Sequence, residues 1–414
     1  MDETGPVLRP DALLAGLRVV EVSMLGPAAV TTALADLGAE VIKVEPVTGD
    51  GMRPVTKPFV GCQRGKRDIA LNLKDPRGLE VALRLVATAD VVHHNMTVGV
   101  ADRLGIGYEA CRAVKPDIVY CNTFAYGREG PLAHFGGLDP LFQASAGIEW
   151  DQGPVAAGNP PLYLRFGMAD TANAFASVVG CLLALLHQRR SGEGQELWTS
   201  LLDAAQWLEA DALLVDGAPA TRPILDAGQH GFDAGYRLYP TQEGWIQVAA
   251  ATPGQWRALC EVLGCPEHAD DPRFADLGTR ASAAASGDDE VGARLAERFA
   301  TRTALAWSRL LDDAGVPNEV VLDTKEGELV LFDADAERLG LVAEYHQGRL
   351  GRLRQCGALV TFSDTPVRID RPPPRFGEHT REILTELGFE AAEIDELHAA
   401  GVVASPPADY PWPT

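Results

Sequence analysis

Three groups of residues in this chain have the types that chemistry demands. Asp170 stands just before a long apolar stretch, where a carboxylate can accept backbone N–H bonds and face the positive end of a helix dipole. That placement favours the ionised form, as a nucleophile requires, and it equally suits a plain helix cap worth about 0.5–2 kcal/mol. Gln63-Arg64-Gly65-Lys66-Arg67 and Lys74 gather cations in an otherwise acidic protein. They could form a phosphate-binding surface, since Arg engages phosphate through two parallel hydrogen bonds, or a solvated turn. His93-His94-Asn95 ends a β-prone run, where open α/β sheets place ligand groups. Adjacent strand residues point to opposite faces, so the His pair does not make a metal site. No HExxH, Cys-His cluster or GxSxG elbow is present, and no metal is expected.

The whole chain sets bounds on these options. Its 414 residues exceed one ordinary domain, and 46% hydrophobic with 23% charged residues is ordinary globular composition. A formal net charge of -22 argues against nucleic acid or an anionic membrane as partner. Seven cysteines, at 62, 111, 121, 181, 260, 265 and 356, include no CxxC pair and read as reduced structural thiols. The acidic start Met1-Asp-Glu-Thr has neither region of a signal peptide, which places the protein in the cytoplasm. Ala172 to Leu186, the most apolar stretch, is shorter than the roughly 20 residues of a membrane span and reads as a core helix.

The elements that must position these residues follow an alternating pattern. Leu17–Ser23 is a strand, Ala28–Gly38 a helix and Glu40–Glu45 a second strand, so the chain opens with a βαβ unit. A helix over 75–88 with Pro76 in its first turn, strands at 90–93 and 117–123, a helix from about 170 to 190 and a strand at 196–200 continue the pattern. The fold class is therefore α/β, with a Rossmann-like parallel sheet in a large domain. The turn Met24-Leu25-Gly26-Pro27 lacks a GxGxxG fingerprint, so NAD and FAD are not expected. From about Arg222 the character changes: a strand at 244–249 and helices at 253–263 and 289–313 form a smaller α+β domain. The expected division is 1–221, 222–320 and 321–414, the last a linker, stiffened at Arg371-Pro-Pro-Pro-Arg375, and a return to the large domain with helices at 380–387 and 391–400.

Read together, Leu17–Glu45, Gly65–Lys74, His94–Glu109, Met168–Phe175, Arg189–Gln195 and Phe376–Phe389 resemble, in order and spacing, the family III (CaiB/BaiF) CoA-transferases. The resemblance spans nearly the whole chain. It implies a CoA-transferase that uses coenzyme A thioesters and carboxylic acids as substrates, and an interlocked homodimer. It puts Asp170 at the position of the family's nucleophilic aspartate, which forms a mixed anhydride and then an aspartyl-CoA thioester. It carries CoA contacts onto Leu71, Lys74, Asn95, Met96, Arg103 and Leu104. Tyr126, Asp139 and Gln143 are candidates for the acid pocket; each could instead serve structure, as a buried polar partner or a helix cap. Pro46 and Gly65 depart from the family pattern, and the glycine-rich flap of formyl-CoA transferases is missing after position 225. Two other readings are weighed. An α-methylacyl-CoA racemase needs a proton carrier on each side of the α-carbon, but the matching segments read Gly137-Leu138-Asp139 and Ala251-Thr252-Pro253. A non-catalytic CoA-thioester-binding protein would leave Asp170 as a cap.

Overall fold

The computed structural model describes residues 11–24, 29–220, 224–285, 290–323, 330–348 and 350–406. The chain separates into two compact units, one of residues 1–146, 166–208 and 331–414, the other of 147–165 and 209–330.

The first unit is built on strands β1 (Arg18–Val22), β2 (Glu40–Glu45), β3 (Lys66–Leu71), β4 (Val91–His94), β5 (Val119–Phe124) and β6 (Glu196–Ser200). Its helices are α1 (Ala29–Asp36), α2 (Thr56–Gln63), α3 (Pro76–Val86), α4 (Val100–Arg103), α5 (Tyr108–Val114), α6 (Asp139–Ala146), α7 (Met168–Ser191) and α8 (Leu201–Leu208). A short helix α9 (Ala334–Arg338), a hairpin of β7 (Val342–Gln347) and β8 (Gly351–Cys356), helices α10 (Thr380–Glu386) and α11 (Ala391–Ala399), and strand β9 (Val403–Ala404) complete it. The seven-stranded sheet runs β9-β3-β2-β1-β4-β5-β6, all parallel except the β9 edge. Strands β1 to β5 are largely buried on both faces, as a sheet covered by helices requires, and β1 and β2 read as Val- and Ile-rich runs, whereas the edge strand β6 is partly exposed. The α/β class expected from the sequence is observed. Because β1 connects toward β2 on one side and β4 lies on its other side, the β1/β4 boundary is the topological switch point where a crevice opens.

Local chemistry explains the elements. Asp75 caps α3 by accepting the Arg77 N–H at 2.9 Å, with Pro76 in the first turn. Gly192 ends α7 in the left-handed region at φ 77°. Two residues on, a Cβ at Gly194 would lie 2.2 Å from the Ile118 carbonyl oxygen, so the approach to β5 demands glycine. Helix α7 is longer than the apolar stretch that announces it. It is the one helix among the described residues with the length and hydropathy of a membrane span, yet Ala174, Val178, Cys181, Ala184 and Leu185 bury it in a core shared with β1, β2, β4 and β5. The seven cysteines are unpaired.

The second unit carries a four-stranded antiparallel sheet of strands 231–233, 236–240, 245–249 and 318–321 against helices 253–262, 290–299 and 304–313. The single helix expected over 289–313 is two helices, because Thr303 caps a fresh start by accepting the Ala306 N–H. Trp256, Leu259, Leu295, Phe299 and Trp307 fill its core.

Candidate active site

Helix α7 begins at Met168 after Gly167, which puts Asp170 inside the first turn and corrects the expectation that it precedes the helix as a cap. Its backbone N–H, one of the donors a helix start leaves unpaired, goes to the Asp139 carboxylate at 2.8 Å. Asp139 opens α6 and is buried, and one turn later Gln143 fixes it: the Gln143 amide donates to Asp139 Oδ1 and, at 2.7 Å, to the Phe166 carbonyl. The neighbouring Gly137 leaves no room for a side chain, since a Cβ there would lie 2.4 Å from the Phe142 ring. Burial, and then the nearby Asp139 charge, push the Asp170 carboxyl up to about 6, opposite to the fully ionised state that the dipole argument favours.

Asp170 lines a cavity of about 570 Å³ at the carboxyl ends of β1, β2, β4 and β5. Met24, Met52, Met96, Phe124, Phe135 and Leu138 make most of it apolar; Lys43, Asp50, Asn95 and Thr97 supply polar groups. Of the residues implied as CoA contacts, Asn95 and Met96 share this cavity with Asp170. Leu71 sits fully buried at the end of β3 opposite Val403, and half-buried Leu104 packs on the same core. Lys74 and Arg103 are exposed on the segments that follow β3 and β4. Tyr126, half-buried with its ring 4.8 Å from Phe142, and the buried Asp139 and Gln143 stand outside the cavity lining.

The cation-rich segment is neither a phosphate surface nor a solvated turn. Arg64 pairs with Asp36 at 2.6 Å, Lys66 with Glu21 at 2.7 Å, and Arg67 with Glu40, Glu382 and Glu386, all with the cation buried. The physical reason is position: Lys66 and Arg67 open β3 inside the sheet, and a charge so buried must be paired. Gly65, where the family pattern has Asn, adopts φ 80°, a conformation both residue types tolerate.

Sequence reasoning missed the polar floor of the cavity. Lys43 is fully buried, donates to the Ser23 carbonyl at 2.7 Å and pairs with Asp50 at 2.9 Å; Glu21 lies 3.8 Å away. Glu45 holds Arg53, which also reaches Asp68 at 3.4 Å. A signal was available: the β-pattern Glu40-Val-Ile-Lys-Val-Glu45 places Lys43 in a buried strand, which obliges partners. His93 and His94 are both buried, and burial lowers their imidazoles to about 3 and about 4, so both are neutral near pH 7. His93 Nε2 lies 3.0 Å from Thr123 Oγ1, and no group of three His, Cys, Asp or Glu residues among those described could hold a metal.

A doubly wound sheet with a half-buried, perturbed carboxylate at its switch-point crevice has the form of an α/β enzyme with its site at that crevice. A family model, CoA-transferase family III, matches residues 14–380. The succinyl-CoA:glutarate CoA-transferase of Mus musculus is 31% identical over 404 residues, covering 94% of this chain and 90% of its own. The succinate--glutarate CoA-transferase of Agrobacterium fabrum is 32% identical over 404 residues, covering 90% and 95%. A crystal structure of a CaiB/BaiF family protein from Brucella suis superimposes with a TM-score of 0.76 at 30% identity, over 91% of this chain and 99% of that one. The chain belongs to CoA-transferase family III and is a CoA-transferase.

Proposed function

We propose that the protein moves coenzyme A from an acyl-CoA thioester to a second carboxylic acid through the side chain of Asp170. An Asp170 carboxylate oxygen attacks the thioester carbonyl, the C–S bond breaks, and CoA leaves as the thiolate, giving an aspartyl mixed anhydride. The thiolate attacks the Asp170 carbonyl, expelling the first acid and leaving an aspartyl-CoA thioester. The acceptor carboxylate attacks that thioester and again displaces the thiolate. Attack of the thiolate on the new acyl carbonyl releases the product thioester and restores Asp170. No proton and no ATP is consumed, and thioester-level energy is conserved across the covalent steps.

The observation that carries this reading is Asp170 itself, a carboxylate at the wall of an apolar cavity with its backbone tied to Asp139. A carboxyl held near 6 is a stronger nucleophile than an ordinary carboxylate and is still mostly ionised at neutral pH. The racemase reading is disfavoured, because Leu138, which lines the same cavity, carries no exchangeable proton. The CoA moiety is assigned to the backbone at Asn95 and to Met96 at the cavity, with Leu71, Lys74, Arg103 and Leu104 beyond it, the two cations facing phosphates. Tyr126, Asp139 and Gln143 bear on the acid through the setting of Asp170. The named relatives act on succinate and glutarate; for this chain the acceptor is assigned only as a carboxylic acid. We assign it also to an interlocked homodimer in the cytoplasm. An apolar stripe on α7, Phe175, Val179, Leu183 and Leu186, is exposed in the single chain and supports a covering partner.

The test is peptide mass spectrometry after incubation with a panel of acyl-CoA thioesters and hydroxylamine trapping. A hydroxamate or CoA adduct on Asp170, absent from Asp170→Ala, is the expected result. Binding of thioesters without any adduct would refute the mechanism.

A further inference from the structure

The parallel ladder between β1 and β4 ends at the pair Val22 and His94. Beyond it the two chains part at the switch point, and each leaves backbone groups that no strand satisfies. On the β1 side, Met24 is met by a single side chain from the β4 side. The Asn95 Nδ2 donates to the Met24 carbonyl at 2.7 Å, and the Met24 N–H donates to Asn95 Oδ1 at 3.0 Å. From β2, Lys43 Nζ holds the preceding carbonyl, that of Ser23, at 2.7 Å. An amide that gives and takes in this way extends the sheet by one residue across the floor of the crevice. Met24, Asn95, Lys43 and Asp170 all line the one cavity.

We infer that Asn95 is a positioning residue that sets the spacing of β1 and β4 at the reaction crevice, rather than a side-chain contact to CoA. Both ends of its amide are engaged by Met24, so the ligand meets this position through the backbone and through neighbouring Met96. The inference rests on the reading that the thioester reacts in this cavity. Among side chains the device is specific to Asn here. Asp keeps the acceptor but loses the donor, Leu loses both, and Gln is one methylene too long to match the ladder spacing.

The experiment compares wild type with Asn95→Asp and Asn95→Leu from pH 5 to 8. In Asn95→Asp the ionised carboxylate faces the Met24 carbonyl, whereas the protonated form can donate to it, and this preference for the neutral form raises the new carboxyl above the ordinary Asp range and into the span of the series. Turnover relative to wild type therefore falls about 10- to 100-fold at pH 8, the scale of a misplaced crevice wall, and recovers toward pH 5. Taking the ratio to wild type cancels the titration of Lys43, Glu45, Asp50 and Asp170, which line the same cavity in both proteins. Asn95→Leu is impaired at every pH, and the affinity for free CoA, read by calorimetry, changes less than about threefold. The melting-temperature deficit of Asn95→Asp follows the same course, largest at pH 8 and shrinking toward pH 5. A flat activity ratio, or a rise in the CoA dissociation constant that matches the loss of turnover, would overturn the inference. The melting series reports on the clamp even if no adduct forms at Asp170, so failure of the mechanism and failure of the clamp are separable.

Discussion

At the scale of single residues, the site is governed by two carboxylates one hydrogen bond apart. Asp139 takes the Asp170 N–H, and burial, with the Asp139 charge adding to it, holds the Asp170 carboxyl at about 6. The carboxylate form is the nucleophile, so single-turnover adduct formation should rise with pH through about 6 and level off above it. Asp139→Asn keeps an acceptor for the N–H and removes the charge, and the rise should move to lower pH, as a quenched-flow pH series would show. The same shift bears on stability. A carboxyl raised in the folded state favours the folded protein below the unfolded value near 4 and loses that advantage as pH climbs through 6. Asp170→Asn should therefore raise stability at pH 8 by about 1–3 kcal/mol in urea titrations, even as it abolishes transfer.

At the scale of elements, β1, β2 and β3 are stitched by charges as well as by their ladders. Burial alone would raise the Glu21 carboxyl, but Lys66 and Lys43 overcome it and hold it at about 2. Its contribution is complete above the ordinary carboxylate range and is lost as pH falls through about 2. Lys66→Met would strand part of that charge in the sheet and should cost about 3–5 kcal/mol by equilibrium unfolding, with Lys66→Arg retaining more than Met. Where α7 gives way to β6, Gly194 passes against the 117–118 backbone with no space for a methyl group. Gly194→Ala should cost about 1–3 kcal/mol or more, because backbone rather than a flexible side chain must move.

For the whole molecule, the prediction concerns association. Phe175, Val179, Leu183 and Leu186 recur at helical spacing on the outer side of α7 and are 44–61% exposed in the single chain. If a second chain covers them, light scattering behind size exclusion should give the mass of two chains. Leu183→Glu combined with Val179→Glu should then yield monomer or insoluble protein, while a variant that stays dimeric would place the interface elsewhere. Helix α10, where the chain returns to the large unit, is tied to β3 through Arg67 to Glu382 and Glu386. Segments more than three hundred residues apart in the chain thus share one unit.

Much of this was legible in the order of residues. The alternation of β-prone runs with amphipathic helices determines a parallel sheet, because strands joined by helical crossovers can pair in no other common way. The helix that Pro76 opens was legible, while its cap at Asp75 and the end of α7 at Gly192 were set by residues adjacent in the chain. Asp170 was legible as a candidate, but its place in the first turn, and the displaced carboxyl that results, depend on where α7 starts and on Asp139, 31 residues earlier. The Gln63–Arg67 cations look like a binding patch in sequence, since charge there is evident and burial is not. Only the sheet, by enclosing them beside Glu21, Glu40 and Asp36, decides that they are structural. In the same way Asn95 is one polar residue after a strand until β1 and β4 diverge and leave Met24 for it to hold. Periodicity fixes elements because it is a local property of the chain; partners across the fold are set by packing, which brings together residues that no spacing in the sequence connects.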